Sequence, residues 1–392
     1  MYKFIICIIT ITLLVLIIQK IFKILFKKRS PEQKLLENPK DYFYGKEKID
    51  KISSDENLVK IIDKFMIDNN LYENGVIVSL SGGVDSMVIL AILIKLQYQK
   101  FFQIVTCNIN YNLRKESEME STFLKKYCGN YNINSNTQHL NGTFSKGNHR
   151  GLITNLGISK RSKFEELSKN VRYNSYKKLA NDTGCCGVML GHHCDDIIEN
   201  IFTNSMRGHN LLDIEVMKKI SEIRGINIFR PLLDVRKKEI IQFAHKYDIP
   251  YFLDTTPKWS RRGKMRNEIF PLFTKIFGNS WKNKFKEIGT QSNNWNSTVQ
   301  NLIIDPWFEE VKFCDKSFQV PIKYLDDENL WLYALPKLFF KINHNSIKKK
   351  NILKLINLLK DGKDNNSLMT LDSGFRCFRR ENNLIFYNND SD

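Results

Sequence analysis

Val76-Ile77-Val78-Ser79-Leu80 runs into Ser81-Gly82-Gly83-Val84-Asp85-Ser86, and that turn runs into Met87-Val88-Ile89-Leu90-Ala91-Ile92-Leu93. The first run is short, apolar and β-branched, as in a parallel strand buried on both faces. The last run reads as a helix packed on that strand. Between them lies a serine- and glycine-rich turn, which is a ready-made phosphate site. Glycines let the backbone approach an anion closely, and the free amides at a helix N-terminus point at it. Ser81 and Ser86 add hydroxyl donors. Asp85 is out of place in an anion nest unless a cation sits there, and Mg²⁺ bridging carboxylate and phosphate is the simplest reason for it. The turn lacks the Gly-Lys-Ser/Thr ending of a Walker A loop. It also lacks the third glycine and distant acidic residue of a dinucleotide fingerprint.

Outward from this turn, apolar runs alternate with helix-like segments from about residue 55 to 260. Strands are expected at 76–80, 102–109, 187–190 and 226–229, and helices at 55–70, 86–98, 116–130, 162–183, 195–206 and 236–247. Such alternation predicts an α/β domain with a Rossmann-like parallel sheet, whose ligands bind beyond the carboxyl ends of the strands. Residues 261–345 read as a helical region rich in aromatics, including Trp281, Trp295, Trp307 and Trp331. Residues 346–392 read as a small α+β C-terminal domain that begins with a basic helix.

The 392-residue chain has 60 Lys plus Arg against 42 Asp plus Glu, a formal net charge of +18. A balance this basic points to an anionic partner, either nucleic acid or an anionic membrane. The 8 cysteines contain no C-x-x-C pair, which argues against a zinc ribbon or a cysteine-held cluster. Phe4 to Ile18 is unbroken apolar or small, and the pattern continues to Phe26 before Lys27-Lys28-Arg29. This stretch is slightly short of the roughly 20 residues that span a bilayer, but Lys20 and Lys23 can snorkel. No small-residue cleavage site follows. The expectation is an anchor over residues 1–29, contacting the membrane through 4–26, with a linker over 30–54. The positive cluster after it puts the rest of the chain on the cytoplasmic side.

A second constellation is Gly191-His192-His193-Cys194-Asp195-Asp196-Ile197-Ile198-Glu199-Asn200. Asp195 is expected to cap a helix whose first turn holds Asp196. Asp196 and Glu199 then share one helical face and together suit a cation, either Mg²⁺ or an ammonium group.

The turn Ser81–Ser86 resembles the pyrophosphate loop (PP-loop) of the N-type ATP pyrophosphatases, which include GMP, NAD and asparagine synthetases, tRNA thiolases and tRNA(Ile)-lysidine synthase. Further motifs narrow the resemblance to the last family. They are Asn112-Leu113-Arg114 with Ser117, Val171-Arg172-Tyr173, Gly191 to Glu199, Arg207-Gly208, Arg230-Pro231-Leu232-Leu233-Asp234-Val235, Asp254-Thr255-Thr256 and Arg266-Asn267, all in the family's order. The C-terminal Ser346-Ile347, Gly362-Lys363 and Leu371-Asp372-Ser373-Gly374 are also similar to that family's accessory domain. The chain departs from the pattern at Tyr111 (usually His), Asn200 (Thr), His209 (Ser) and Phe270 (Arg).

The resemblance implies a ligase that uses ATP to adenylate O2 of a tRNA anticodon cytidine, then joins free lysine at C2. It implies that Ser81, Gly82, Gly83, Val84, Asp85 and Ser86 bind ATP with Arg114 and His192, and that Asp85 carries Mg²⁺. Asp196 and Glu199 would hold the lysine ammonium, and Arg266 would counter phosphate or oxyanion charge. Arg207, Lys258, Arg261, Arg262, Lys264, Lys348 and Lys349 are the candidate tRNA contacts. The alternatives are a tRNA thiolase of the same superfamily and a catalytically weak, membrane-tethered tRNA-binding protein.

Overall fold

The structure, a computed structural model, describes residues 49–111, 117–139, 161–252, 260–314, 317–341, 347–360, 369–370 and 375–388. The expected anchor (1–29) and most of the linker lie outside the described residues, as do Arg114, Lys258, Asp254-Thr255-Thr256 and the Leu371–Gly374 motif. Among the described residues no helix is long and apolar enough to cross a membrane.

The chain forms two compact units. The first takes the chain up to Ile197 together with Met217–Leu272, and the second takes Ile198–Val216 and the chain from Phe273 on.

The first unit is built from α1 (Asn57–Asp68), α2 (Leu71–Asn74), β1 (Val76–Ser79), α3 (Val84–Gln97), β2 (Ile104–Asn110), α4 (Ser117–Asn130), β3 (Asn134–His139), α5 (Arg161–Thr183) and β4 (Val188–Met189). The start of α6 (Cys194–Met206) follows, then β5 (Ile220–Ile223), β6 (Ile226–Phe229), α7 (Lys237–Lys246) and α8 (Arg261–Lys264). Its sheet runs β3-β2-β1-β4-β6-β5, and only β5 is antiparallel to its neighbour.

Period-2 alternation decides which side chain faces which layer. Val76 and Val78 join the core under α1, α3, α4 and α7. Ile77 joins Val105, Tyr176, Val188 and Ile228 in a second cluster on the α5 face. Because both faces are covered, β1 reads as continuous apolar residues. Helix α3 is buried nearly all round, from Met87 to Ile94. From β1 the chain winds outward through β2 to β3, then returns to place β4 on β1's other side. That reversal puts a topological switch point at the carboxyl ends of β1 and β4, where such sheets bind ligands.

The expected strands and helices of this unit form close to their expected limits. Two strands were not expected. β3 (Asn-Ser-Asn-Thr-Gln-His) pairs only with β2 and is largely solvated, so it carries no apolar signal. β5 makes a hairpin with β6 through Arg224-Gly225, both at positive φ (58° and 75°), as a two-residue hairpin turn requires.

The second unit contains the rest of α6, then α9 (Phe270–Phe277, from Phe273 on), α10 (Trp281–Val299), α11 (Asp305–Glu309), β7 (Lys312–Cys314), β8 (Ser317–Pro321), α12 (Glu328–Lys341), α13 (Lys349–Lys360), β9 (Met369–Thr370), β10 (Phe375–Arg380) and β11 (Asn383–Asn388). Lys312–Cys314 and Ser317–Pro321, expected within a helical region, are strands, and β8 pairs with β11 in an antiparallel sheet ordered β7-β8-β11-β10-β9. The inward side chains Phe318, Val320, Leu384 and Phe386 alternate along β8 and β11. They close on Trp307, Trp331 and Phe339, which puts this segment in the C-terminal sheet.

Candidate active site

The site is built in the first unit, on the two segments that leave the switch point. After β1, Gly82 takes φ 78°, and a Cβ there would stand 2.4 Å from the Phe252 ring, so only glycine fits this turn. The Gly82 carbonyl accepts from Phe252 N at 2.8 Å, which pins the loop's outer edge. Ser81 Oγ accepts from Gly83 N (3.3 Å) and lies 3.2 Å from Ser86 Oγ, and Ser86 Oγ donates to the Gly83 carbonyl at 3.0 Å. α3 begins at Val84, which leaves its first-turn amides at the loop. Ser81, Gly82, Gly83, Val84, Asp85 and Ser86 therefore form one strand-to-helix nest.

After β4 comes Gly191, where a Cβ would stand 2.8 Å from Asp85 Cβ and 3.1 Å from Ser86 N. The two loops are thus in direct backbone contact. α6 starts one residue earlier than expected, with His193 at the N-cap, so Asp195 does not cap it. Asp195 instead accepts from Lys237 N at 3.0 Å. Asp196 occupies the third helical position and reaches back to the His193 N–H at 3.1 Å, the acidic half of a capping box.

Side chains from four elements form one row of polar contacts. Lys237, at the start of α7, donates to both oxygens of Asp85 (2.8 and 2.7 Å). Asp85 Oδ1 lies 3.8 Å from His193 Nε2, which lies 3.4 Å from Asp196 Oδ2. Asp196 Oδ1 then pairs with Arg266 at 3.3 Å. Arg266 stands in the irregular turn Met265–Ile269 that follows α8. His193 is buried, and its Nδ1 has no hydrogen-bond partner among the described residues.

Burial raises the Asp196 pKa, but His193, His192, the His193 N–H and Arg262 outweigh it and hold the carboxyl below its ordinary range. His192 is pushed down to about 4, first by burial and then by Arg230, Arg262 and His193, against the opposing pull of Asp196. Glu199, one turn along α6, is buried in the second unit.

Of the sequence-based candidates, Asp85, Asp196, Arg266 and His192 come together with the loop. Arg261, Arg262 and Lys264 are exposed on α8, whose N-cap is Ser260. Arg207 is exposed at the end of α6, followed by Gly208 at φ 66°, a helix stop. Lys348 and Lys349 are exposed beside α13 in the second unit. Two departures from the family pattern have local partners. Tyr111 OH accepts from Arg172 Nε and Nη2 (2.9 and 2.7 Å), and Asn200 Oδ1 accepts from Asn204 at 3.0 Å.

Lys237 was not singled out by the sequence, and His193 and Arg230 fall inside quoted motifs without a role assigned to them. Lys237 sits in Arg236-Lys237-Lys238, which reads as a solvated basic run. Only the fold shows that it meets Asp85.

Among the described residues no group of three or more His, Cys, Asp or Glu is placed to hold a metal ion. Mg²⁺ needs less than that, because it commonly takes one or two carboxylates and completes its octahedron with water and phosphate oxygens. Asp85 beside an anion nest fits that donor set, with Lys237 as the cation it already holds.

Residues 54–273 match the PP-loop domain family. Among curated relatives, the tRNA(Ile)-lysidine synthase of Staphylococcus aureus (strain COL) is 29% identical over 202 residues, covering 51% of this chain and 44% of that protein. The tRNA(Ile)-lysidine synthase of Borreliella burgdorferi (strain ZS7) is 30% identical over 227 residues, covering 57% of this chain and 48% of that protein. The chain spans a little under half the length of these two relatives. A U34-tRNA thiolase from Methanococcus maripaludis is similar to 65% of this chain and 82% of its own, with 18% identity and a TM-score of 0.48. With the matched segment spanning over half of its length, and with the nest, the switch point and the glycines that bring the two loops together all inside that segment, the chain belongs to the PP-loop domain family.

Proposed function

We propose that the protein is a tRNA-modifying ATP-dependent ligase of the tRNA(Ile)-lysidine synthase type. In the first step, O2 of an anticodon cytidine attacks the α-phosphorus of ATP. The α–β bridging bond breaks and pyrophosphate leaves. In the second, the lysine ε-amine attacks C2 of the base, the C2–O bond breaks, AMP leaves and the amine loses a proton. The products are lysidine, AMP and pyrophosphate. The observation that carries the reading is the meeting of the phosphate nest with a second carboxylate loop at one switch point, in a chain similar to proteins of that name.

In this reading the amides and hydroxyls of Ser81–Ser86 hold the pyrophosphate as it departs, and Asp85 orients the loop's cation. Mg²⁺ on Asp85, when bound, would neutralise charge on the phosphates. Asp196 receives the lysine ammonium, and its low pKa keeps it an acceptor at neutral pH. Arg266 balances Asp196 and stabilises the negative charge on the phosphate of the leaving AMP. Arg261, Arg262 and Lys264 contact tRNA phosphates from α8, and Lys348 and Lys349 do so in the second unit. The cytidine must leave its stack to reach the loop. Residues 4–26 would tether this activity to the cytoplasmic side of a membrane.

The test is ATP turnover by residues 30–392. AMP and pyrophosphate should appear only when both lysine and a tRNA with a CAU anticodon are present. Lysine-independent turnover, or sulfur entering the tRNA, would remove the reading.

A further inference from the structure

Arg230 is a buried arginine that no step above uses, although it belongs to the Arg230-Pro231-Leu232-Leu233 motif. It ends β6 and spans two elements. Nη1 donates to the Lys218 carbonyl and to Ser221 Oγ, both at 2.8 Å. Nε donates to His192 Nδ1 at 3.1 Å. The guanidinium is therefore clamped to the β5 edge through Nη1, and its Nε–H is spent on a histidine ring nitrogen.

An arginine Nε–H is only ever a donor, so the ring nitrogen facing it must present a lone pair. With Nδ1 the acceptor, the proton of a neutral imidazole lies on Nε2. An imidazolium is excluded, because it has no lone pair on either nitrogen. We infer that Arg230 is a positioning residue that holds His192 as the neutral Nε2–H tautomer, making His192 a hydrogen-bond donor to the nucleotide and not a proton acceptor. The nucleotide half of this inference rests on the ATP reading of the site, whereas the tautomer half does not. The surroundings agree. The charged and titratable groups facing His192 are Asp196 from α6, Arg262 from α8, His193 beside it and Arg230 itself, and together with burial they disfavour a second proton. Asp196 is the one group that favours it, and it is already engaged by Arg266 and the His193 amide.

A neutral donor suits a site that handles phosphates. It fixes a ligand oxygen or nitrogen without adding a cation to the Arg262–Arg266–Lys237 set, and it does not lose its proton when the reaction releases one. The second partner that makes this directional is the chain itself, since which nitrogen donates is decided by what the other one accepts.

Nitrogen-15 NMR of histidine-labelled full chain at pH 7.5 tests this, with the His192 signals assigned by their loss in His192→Gln. The expected spectrum has an unprotonated Nδ1 and a protonated Nε2. In Arg230→Met the single tautomer should give way to a mixture, and so should it in Arg230→Lys, which keeps a positive charge but has no Nε–H. In both variants the KM for ATP should rise about tenfold, the equivalent of one hydrogen bond, with kcat changed less. A protonated Nδ1 or an imidazolium in the unmodified protein overturns the inference, and so does an unchanged tautomer in folded variants. Circular dichroism checks folding, and the unmodified protein's spectrum decides alone if the variants do not fold. Titration with an α,β-methylene analogue of ATP separates the two halves. The Nε2 signal should move while Nδ1 keeps its lone pair. If neither moves, the nucleotide reading fails and the Arg230–His192 pairing stands.

Discussion

Asp85 sits where a bound phosphate would repel it, and Lys237 explains how it stays. The ammonium meets both carboxylate oxygens, and the Asp85 side chain is 20% exposed. Removing the cation leaves a largely desolvated carboxylate facing the phosphates. Lys237→Met should therefore raise the KM for ATP and lower kcat/KM by about 10- to 100-fold, the range of a charge-assisted hydrogen bond. Lys237→Arg should recover part of it, and steady-state kinetics of both variants checks this.

His192 gives a second prediction at this scale. Its folded pKa of about 4 lies below the ordinary 6.5, so the unfolded chain binds the proton more readily between these values. Stability contributed by the neutral ring is complete above 6.5 and is lost as the pH falls toward 4. Melting temperature measured across that window should fall with pH, and more steeply than in His192→Gln. Equal slopes would show that another group is responsible.

Among the elements of the second unit, the indole pair Trp307 and Trp331 are the largest fully buried side chains of the described residues. Trp307 and Trp331 are almost fully buried with ring centroids 4.9 Å apart, and their Nε1 atoms donate to the carbonyls of Pro321 and Lys323. Trp331→Ala should cost about 3–5 kcal/mol, measured by urea denaturation, with the nucleotide site of the first unit still binding ATP. The strands that were legible in sequence share one trait, which is that most of their side chains are buried. β1 and β4 are largely apolar runs because neighbours cover both faces, β2 and β6 carry buried Ile, Val and Phe, and α3 reads as a helix between a glycine turn and Gln97. β3 escaped notice because an edge strand needs no apolar face. β7 and β8 escaped because Phe318 and Val320 are too few to show a period, and β8's partner β11 lies more than 60 residues on. At the site, the nest and the Asp196 turn were legible because glycine and paired carboxylates are local signals. The Lys237–Asp85 and Arg230–His192 pairs were not, because the partners are 152 and 38 residues apart and each cation looks like surface charge until the chain is folded.

At the scale of the whole chain, the basic excess and the PP-loop domain fit the proposed reading, in which an ATP site at a switch point would work on a polyanion. The apolar residues 4–26 add a tether in the sequence reading. Deleting residues 1–29 should move the protein from the membrane fraction to the soluble fraction while ATP turnover on added tRNA continues; retention on membranes would refute the tether. The central claim is the chemistry done at the Ser81–Ser86 loop, and nucleoside mass spectrometry reads it directly. Incubated with ATP, lysine and a tRNA bearing a CAU anticodon, the protein should convert one anticodon cytidine to lysidine, with the mass of lysine less water added and none without lysine. An unmodified cytidine, or a thiolated base in its place, would contradict it.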